Sequence, residues 1–155
     1  MTAWTEHLAR VGATLDDTAR SIAFAAPADE ARATETATIA VPLLHLGTIR
    51  AQGPDSAAFL HNLVSNDVKH MEADTAAWNS FNSPKGRMIA SFLVWTEEGG
   101  HALALSADIL PAFLKKFSMY VLRSKVKLAD ASADTALIGL AGPQAAAIAQ
   151  AAGAT

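Results

Sequence analysis

Two apolar helical segments set among strand-like segments constrain the fold more than any other sequence feature. Apolar residues follow helical spacing over residues 57–64 and again over residues 110–121. The strand-like segments around them are residues 48–52, 77–82, 88–95, 101–105 and 125–128. This order, β-α-β-β-β-α-β, predicts an α+β fold: a ferredoxin-like antiparallel sheet with helices on one face.

Two details of that sheet follow from local sequence. The nearly continuous apolar run Met88–Trp95 predicts a central strand that is buried on both faces. Glu98-Gly99-Gly100 predicts a hairpin turn into the next strand. Pro54 is expected at the first position of the first helix, and that helix is expected to end near residues 65–67.

The first forty residues predict an N-terminal helix and linker rather than part of the main domain. Apolar residues at positions 4, 8, 11 and 15 give one stripe of a short helix, and Pro27–Thr38 is expected to be a linker or exposed loop. No signal peptide is evident, and no apolar run approaches the roughly 20 residues that span a bilayer. The sequence therefore predicts a soluble, cytoplasmic protein.

A short internal repeat predicts a second unit near the end of the chain. Residues 48–58 read TIRAQGPDSAA and residues 137–147 read LIGLAGPQAAA, each a strand, a Gly-Pro break and an Ala-rich helix. The predicted organisation is an N-terminal helix and linker (1–40), an α+β domain (41–130) and the start of a second, incomplete unit (135–155). The chain is then expected to be the N-terminal part of a longer protein.

The charge is unevenly distributed. The chain carries a net charge of −3, yet residues 85–127 hold seven basic and three acidic groups. We expect this region to attract an anionic partner, with an RNA-binding module and a merely solvated basic face as alternatives. The cations assigned to the positive field are Lys85, Arg87, Lys115, Lys125 and Lys127.

Motifs for common chemistry are absent from the sequence. There is no cysteine, no G-x-S-x-G elbow, no P-loop and no G-x-G-x-x-G, and the five histidines show no metal-ligand spacing. Neither a catalytic apparatus nor a metal site is predicted. The most unusual stretch is residues 78–88, which join two strands through amides, a proline, a glycine and two cations.

Five motifs in order resemble a known family. They are Leu46-Gly47-Thr48-Ile49-Arg50-x-x-Gly53-Pro54-Asp55, Phe59-Leu60-x-x-Leu63-Val64-Ser65-Asn66-Asp67-Val68, Ser83-Pro84-Lys85-Gly86-Arg87-Met88, Phe117-x-x-Tyr120-Val121-x-Arg123-Ser124-Lys125-Val126 and Leu137-Ile138-Gly139-Leu140-Ala141-Gly142. Together they resemble the start of a YgfZ-type folate-binding protein, a group related to the glycine-cleavage T-protein, an aminomethyltransferase. The resemblance extends from about Leu43 to Ala149.

The resemblance implies a function. YgfZ-type proteins bind tetrahydrofolate in a channel between domains and support tRNA modification and iron–sulfur enzyme maintenance. The implied partners are therefore a folate, tRNA and an iron–sulfur client protein, with no membrane. Tetrahydrofolate would be bound mainly with a C-terminal half, whose signature K-G-C-Y-x-G-Q-E this chain does not contain.

The resemblance also implies site residues. In T-proteins one strand carries a pair of Asp residues that act on folate and the aminomethyl group, and this pair falls here on Ala90 and Ser91. Neither side chain can serve as an anionic base, so a non-catalytic binding role is expected, with aminomethyl transfer as the alternative. The implied folate-contacting residues are Leu46, Trp78, Ser91, Leu103 and Leu105, together with the cations Lys85 and Arg87.

Overall fold

The computed structural model describes residues 3–18 and 21–153, which form two compact units. One unit is residues 46–135, and the other combines the described parts of residues 1–45 and 136–155. In chain order the elements are α1 (Ala3–Arg10), β1 (Thr14–Leu15), β2 (Ile22–Ala23), α2 (Pro27–Thr36), β3 (Ile39–Pro42), β4 (Leu46–Gln52), α3 (Ser56–His61), β5 (Ala76–Asn82), β6 (Met88–Glu97), β7 (Gly100–Ser106), α4 (Leu110–Ser118), β8 (Lys127–Asp130), β9 (Ile138–Ala141) and α5 (Ala145–Ala151). No described helix is long and apolar enough to cross a membrane.

Residues 46–135 form a five-stranded sheet in the order β5-β6-β7-β4-β8, and every neighbouring pair is antiparallel. The predicted α+β class and the order β-α-β-β-β-α-β are confirmed. The predicted hairpin is confirmed as well, because Glu97 pairs with Gly100 across a two-residue turn in which Gly99 has φ +79°.

One face of the sheet packs against α3 and α4. Cross-strand pairing places Ile49, Leu103 and Val94 side by side on this face, and all three are fully buried. Burial of such side chains from water stabilises the fold by roughly 1.5–3 kcal/mol each. An aromatic cluster with ring centroids 4.9–5.8 Å apart completes the core; it comprises Phe59, Phe81, Phe92, Phe113 and Phe117.

A buried polar pair links α3 to β7. The Ser56 hydroxyl lies 2.6 Å from the carbonyl oxygen of Ala51, to which it donates, and 2.9 Å from Nδ1 of His101. Because its single proton is used on Ala51, the hydroxyl accepts a hydrogen bond from a protonated Nδ1 of His101. Burial lowers the pKa of His101, and the charge of Glu97 opposes that shift. The imidazole is thus held in its neutral form as a donor.

Several sequence-based boundaries and one burial prediction are wrong. β6 is an interior strand, but only alternate residues such as Phe92 and Val94 are fully buried, because both helices cover the same face. The first helix ends at His61, after which Val64 leaves helical geometry and bridges to Phe81. Pro54 lies in the turn that precedes α3, and β8 begins two residues later than expected.

The segment expected to be a linker is helix α2. Pro27 occupies the first turn, where its missing N–H costs nothing, and Asp29 and Glu30 favour the positive end of the helix dipole. Glu30 also accepts hydrogen bonds from the backbone N–H groups of Phe24 and Ala25, at 2.7 and 3.2 Å. The sequence does not predict this helix because the segment has no large apolar residues at helical spacing, although its alanines favour helical backbone.

The N-terminal helix is shorter than its apolar stripe predicts. It ends at Arg10 because Gly12 adopts φ +97°, so Leu15 lies in β1 rather than on the helix. Near the end of the chain, the predicted strand and helix are present as β9 and α5. β9 pairs antiparallel with β3, within the unit that contains residues 3–45. That residues 135–155 begin a second unit stays a prediction.

Candidate functional site

The face of the sheet opposite the helices, here called the second face, carries the exposed candidate residues. Trp78 pairs with Leu93, and Ser80 pairs with Ser91, so these four side chains form two adjacent rows across β5 and β6. Trp78 is 69% exposed, and Ser91 is exposed as well. Directly opposed side chains have Cβ atoms about 4.5–5.5 Å apart, so one small molecule can contact all four. We call these four residues the Trp78 patch.

The loop that joins β5 to β6 holds the two predicted cations. Ser83 N donates to Arg87 O at 2.8 Å, and Arg87 N donates to the Ser83 hydroxyl at 3.0 Å. Gly86 closes this turn with φ +75°, a backbone conformation that glycine adopts without strain. Lys85 and Arg87 are exposed, and no ion-pair partner is recorded for either among residues 3–18 and 21–153. The loop is therefore an ordered turn with two available cations.

The other expected contact residues lie elsewhere. Leu103 and Leu105 point to the helix face, where they are part of the core. Ala90 lies on the same buried side, so of the two positions that match the T-protein acidic pair only Ser91 reaches the second face. Leu46 is half-buried and pairs with Ser106 on β7, which places it beyond β7 from the Trp78 patch.

Sequence reasoning missed the neighbours that complete the second face. Leu93 lies beside Trp78, and Trp95 is opposite Ala76 in the next row. Arg50 forms an ion pair with Glu97 at 2.9 Å. Strict alternation along β6 could have identified Leu93 and Trp95, because residues at even spacing from Ser91 share its side of the sheet.

A second polar cluster lies at the end of α3. The Asp67 carboxylate contacts Nδ1 of His61 at 3.1 Å and Nδ1 of His70 at 2.7 Å, and it also accepts the backbone N–H of His70 at 3.1 Å. Hydrogen bonds from His70 lower the pKa of Asp67 to about 2. Within the part of the chain that the structure describes, no group of three or more His, Asp or Glu side chains has a geometry that could hold a metal ion.

The fold matches that of a solved structure. The structure of glycine cleavage system aminomethyltransferase T from Bartonella henselae superposes with a TM-score of 0.73 at 18% identity, covering 97% of this chain and 42% of that one. A family model described as the GCVT N-terminal domain matches residues 4–154. The chain therefore belongs to the GCVT N-terminal domain family, which confirms the resemblance found in the sequence.

Curated relatives carry three kinds of name. The iron-sulfur cluster assembly factor IBA57 homolog of Mycosarcoma maydis is 36% identical over 58% of this chain, and the tRNA-modifying protein YgfZ of Vibrio vulnificus is 30% identical over 69%. An aminomethyltransferase of Shouchella clausii is 29% identical over 68% of this chain. The matches cover 26%, 33% and 29% of those relatives, so the chain spans a quarter to a third of their length.

Proposed function

We propose that this chain is a tetrahydrofolate-binding domain of the YgfZ type, which supports tRNA modification and iron–sulfur enzyme maintenance without catalysing aminomethyl transfer. Relatives named as a tRNA-modifying protein and as an iron–sulfur cluster assembly factor support the role. The partners that go with it are tRNA and an iron–sulfur client protein, and the compartment we propose is the cytoplasm.

The exposed indole of Trp78 carries the proposal of folate binding. Trp78 is 69% exposed on a strand whose other face is core, although burying a large aromatic side chain would stabilise the fold. A pterin is a flat heteroaromatic ring, and it can stack on the indole while its polar edge contacts the hydroxyls of Ser80 and Ser91. Leu93 extends the apolar surface beside the ring.

The cations of the β5–β6 loop supply the second half of the recognition. The carboxylates of a folate tail are attracted to Lys85 and Arg87, which stand at the end of the strand that carries Trp78. Asn82, the last residue of β5, lies four positions beyond Trp78, or about 13 Å along an extended strand. A pterin on the indole and a carboxylate at the loop can therefore belong to one molecule.

The position of Ala90 supports a non-catalytic role. Its side chain is buried in the core, so even an acid at this position would face the helices instead of a ligand on the second face. Ser91 does face that side, but a neutral hydroxyl cannot hold the charge of a cationic aminomethyl intermediate as a carboxylate does. The aminomethyltransferase relatives thus share the fold with this chain, and we propose that they do not share the reaction.

A titration of this 155-residue chain with tetrahydrofolate tests the proposal, with isothermal titration calorimetry as the readout because it does not depend on the Trp78 indole. A drug-sized ligand buries 70–90% of its surface in a closed pocket, whereas the Trp78 patch covers a ligand from one side only. We therefore expect weak, saturable binding, with a dissociation constant above roughly 100 µM. Trp78→Ala should weaken the binding by about 1–3 kcal/mol, the worth of one stacking contact. Unchanged affinity in that variant, or no saturable signal at millimolar folate, would contradict the proposal.

A matched pair of charge variants tests the tail. Arg87→Gln should weaken tetrahydrofolate binding, whereas Lys69→Gln, at an exposed lysine in another loop, should not. The aminomethyl alternative is tested by methylene-tetrahydrofolate formation from an aminomethyl donor, and turnover at the rate of a true T-protein would establish that alternative.

A further inference from the structure

We propose that a groove after α4 is a docking site for an acidic protein partner. The partner's surface would present a large apolar side chain to the groove, with carboxylates of its own on either side of that side chain. The groove has a volume of about 700 Å³. Its lining residues, here called the Leu122 groove, are Asp55, Tyr120, Leu122, Arg123 and Ser124. All five lie within the unit of residues 46–135, and the inference goes beyond the proposed folate role.

Leu122 is the first observation that points to a partner. Its side chain is 88% exposed, and its backbone adopts φ +42°. A left-handed conformation costs a residue with a branched side chain roughly 1–2 kcal/mol, and glycine or asparagine would adopt it more easily. Folding alone accounts for neither the strain nor an apolar side chain in water. Both are accounted for if Leu122 contacts another molecule.

The backbone around the groove is held in place. Lys125 N donates to the Asp55 carboxylate at 2.6 Å, and Ser124 N donates to Val121 O at 2.8 Å. The Tyr120 ring packs edge-on against the core residue Phe81, with ring centroids 5.5 Å apart. A surface fixed in this way loses little entropy when a partner binds.

Charge identifies the chemistry of the partner. Residues 115–127 contain five basic residues and no acidic residue. Arg123, at the groove itself, has no recorded ion-pair partner within residues 3–18 and 21–153. A carboxylate-bearing surface complements this run, and arginine binds a carboxylate through two parallel hydrogen bonds.

The side chains favour a protein over RNA. Exposed Met119 and Leu122 are aliphatic and offer no plane for stacking a base, so Tyr120 is the one aromatic platform among the lining residues. Tyrosine, methionine and arginine are the residue types that protein interfaces favour.

An unbiased selection tests the inference. The full 155-residue chain is used to select binders from a random 12-residue peptide display library, and the affinity of the enriched peptides is measured by biolayer interferometry. We expect the enriched peptides to combine acidic residues with a large apolar residue, and their affinity to fall with rising salt. Enrichment of peptides without acidic residues, or no enrichment, would overturn the proposal.

Three variants locate the binding. Leu122→Asn removes the apolar contact while relieving backbone strain, so affinity should fall at least tenfold while the melting temperature stays equal or rises. Arg123→Glu should also weaken binding at least tenfold, and the matched charge reversal Lys69→Glu should leave it unchanged. Peptide binding that survives both groove variants would exclude the site. Groove-dependent binding of oligouridylate or phosphatidylglycerol vesicles without peptide binding would refute a protein partner.

Discussion

Truncation of Trp78 and of Leu103 should separate ligand contact from core packing. The resemblance assigned both residues to one pocket, but they lie on opposite faces of the sheet. Leu103 is fully buried, and removing a buried leucine side chain costs about 3–5 kcal/mol. Trp78 is covered over only a third of its surface, about 75 Å² at about 25 cal/mol/Å², so Trp78→Ala should cost at most about 2 kcal/mol.

Ligand affinity should rank the two variants in the opposite order: Trp78→Ala should lose more affinity than Leu103→Ala. Loss of a stacking platform costs about 1–3 kcal/mol, so Trp78→Ala should weaken tetrahydrofolate binding by about 5- to 150-fold. Leu103→Ala removes no atom from the second face. Provided that it stays folded, it should bind with nearly unchanged affinity.

Urea unfolding and tetrahydrofolate titration on the same protein samples make the comparison. Unfolding is followed by far-ultraviolet circular dichroism, because Trp78→Ala removes one of the three indoles that fluorescence would report. The reasoning is refuted if Leu103→Ala, at a urea concentration where it is folded, loses affinity as strongly as Trp78→Ala. It is also refuted if Trp78→Ala destabilises the chain as much as Leu103→Ala does.

Three further predictions test the site, the buried histidine and a turn. Ala90→Asp should lower the thermal midpoint strongly, because it places a carboxylate in the core, whereas Ser91→Asp should leave that midpoint nearly unchanged. Burial lowers the pKa of His101 below 6.5, so as the pH falls the unfolded chain binds a proton at this histidine before the folded chain does. The urea midpoint should therefore fall as the pH drops from 7.5 to 5.5, and it should fall less in His101→Gln. Gly53→Ala should cost more than Gly99→Ala in urea unfolding, because a Cβ at the first site overlaps a neighbouring backbone carbonyl and at the second meets open space.

The sheet could be predicted from sequence because its signals are local. Alternation in β5 and β7, the turn at Gly99 and the two apolar helices each indicate an element within a short window. The helix α2 could not be found in this way, since none of its residues is buried and the apolar pattern on which the prediction depends is absent.

The site was harder to predict because it depends on register. Trp78 and Ser91 become neighbours only through the pairing of β5 with β6, and that pairing shifts by one residue between Phe81 and Asn82. Such an irregularity leaves no mark in hydrophobic alternation. Leu103 illustrates a different reason: a position carried over from a family says nothing about which face it occupies until the strand is placed in the sheet, and here that face is the core.

The two Gly-Pro motifs show which repeated features the fold explains. Gly53 follows β4 with φ +131°, and Gly142 follows β9 with φ +109°. A Cβ at Gly53 would overlap the carbonyl oxygen of Lys125, which lies two residues before β8. A Cβ at Gly142 would overlap the carbonyl oxygen of Ala37, which lies two residues before β3. β8 and β3 are the strands that pair with β4 and β9.

The strand, turn and helix therefore occur twice with the same backbone geometry, in which a glycine with positive φ packs against the backbone of a neighbouring segment. In each copy the glycine carbonyl accepts the N–H of the residue three positions on, Ser56 at 3.0 Å and Ala145 at 3.1 Å. Close backbone approach and positive φ exclude a side chain at both glycines, so the fold accounts for these motifs without a ligand. The exposed indole of Trp78 and the strained Leu122 have no such explanation, which is why the functional proposals rest on them.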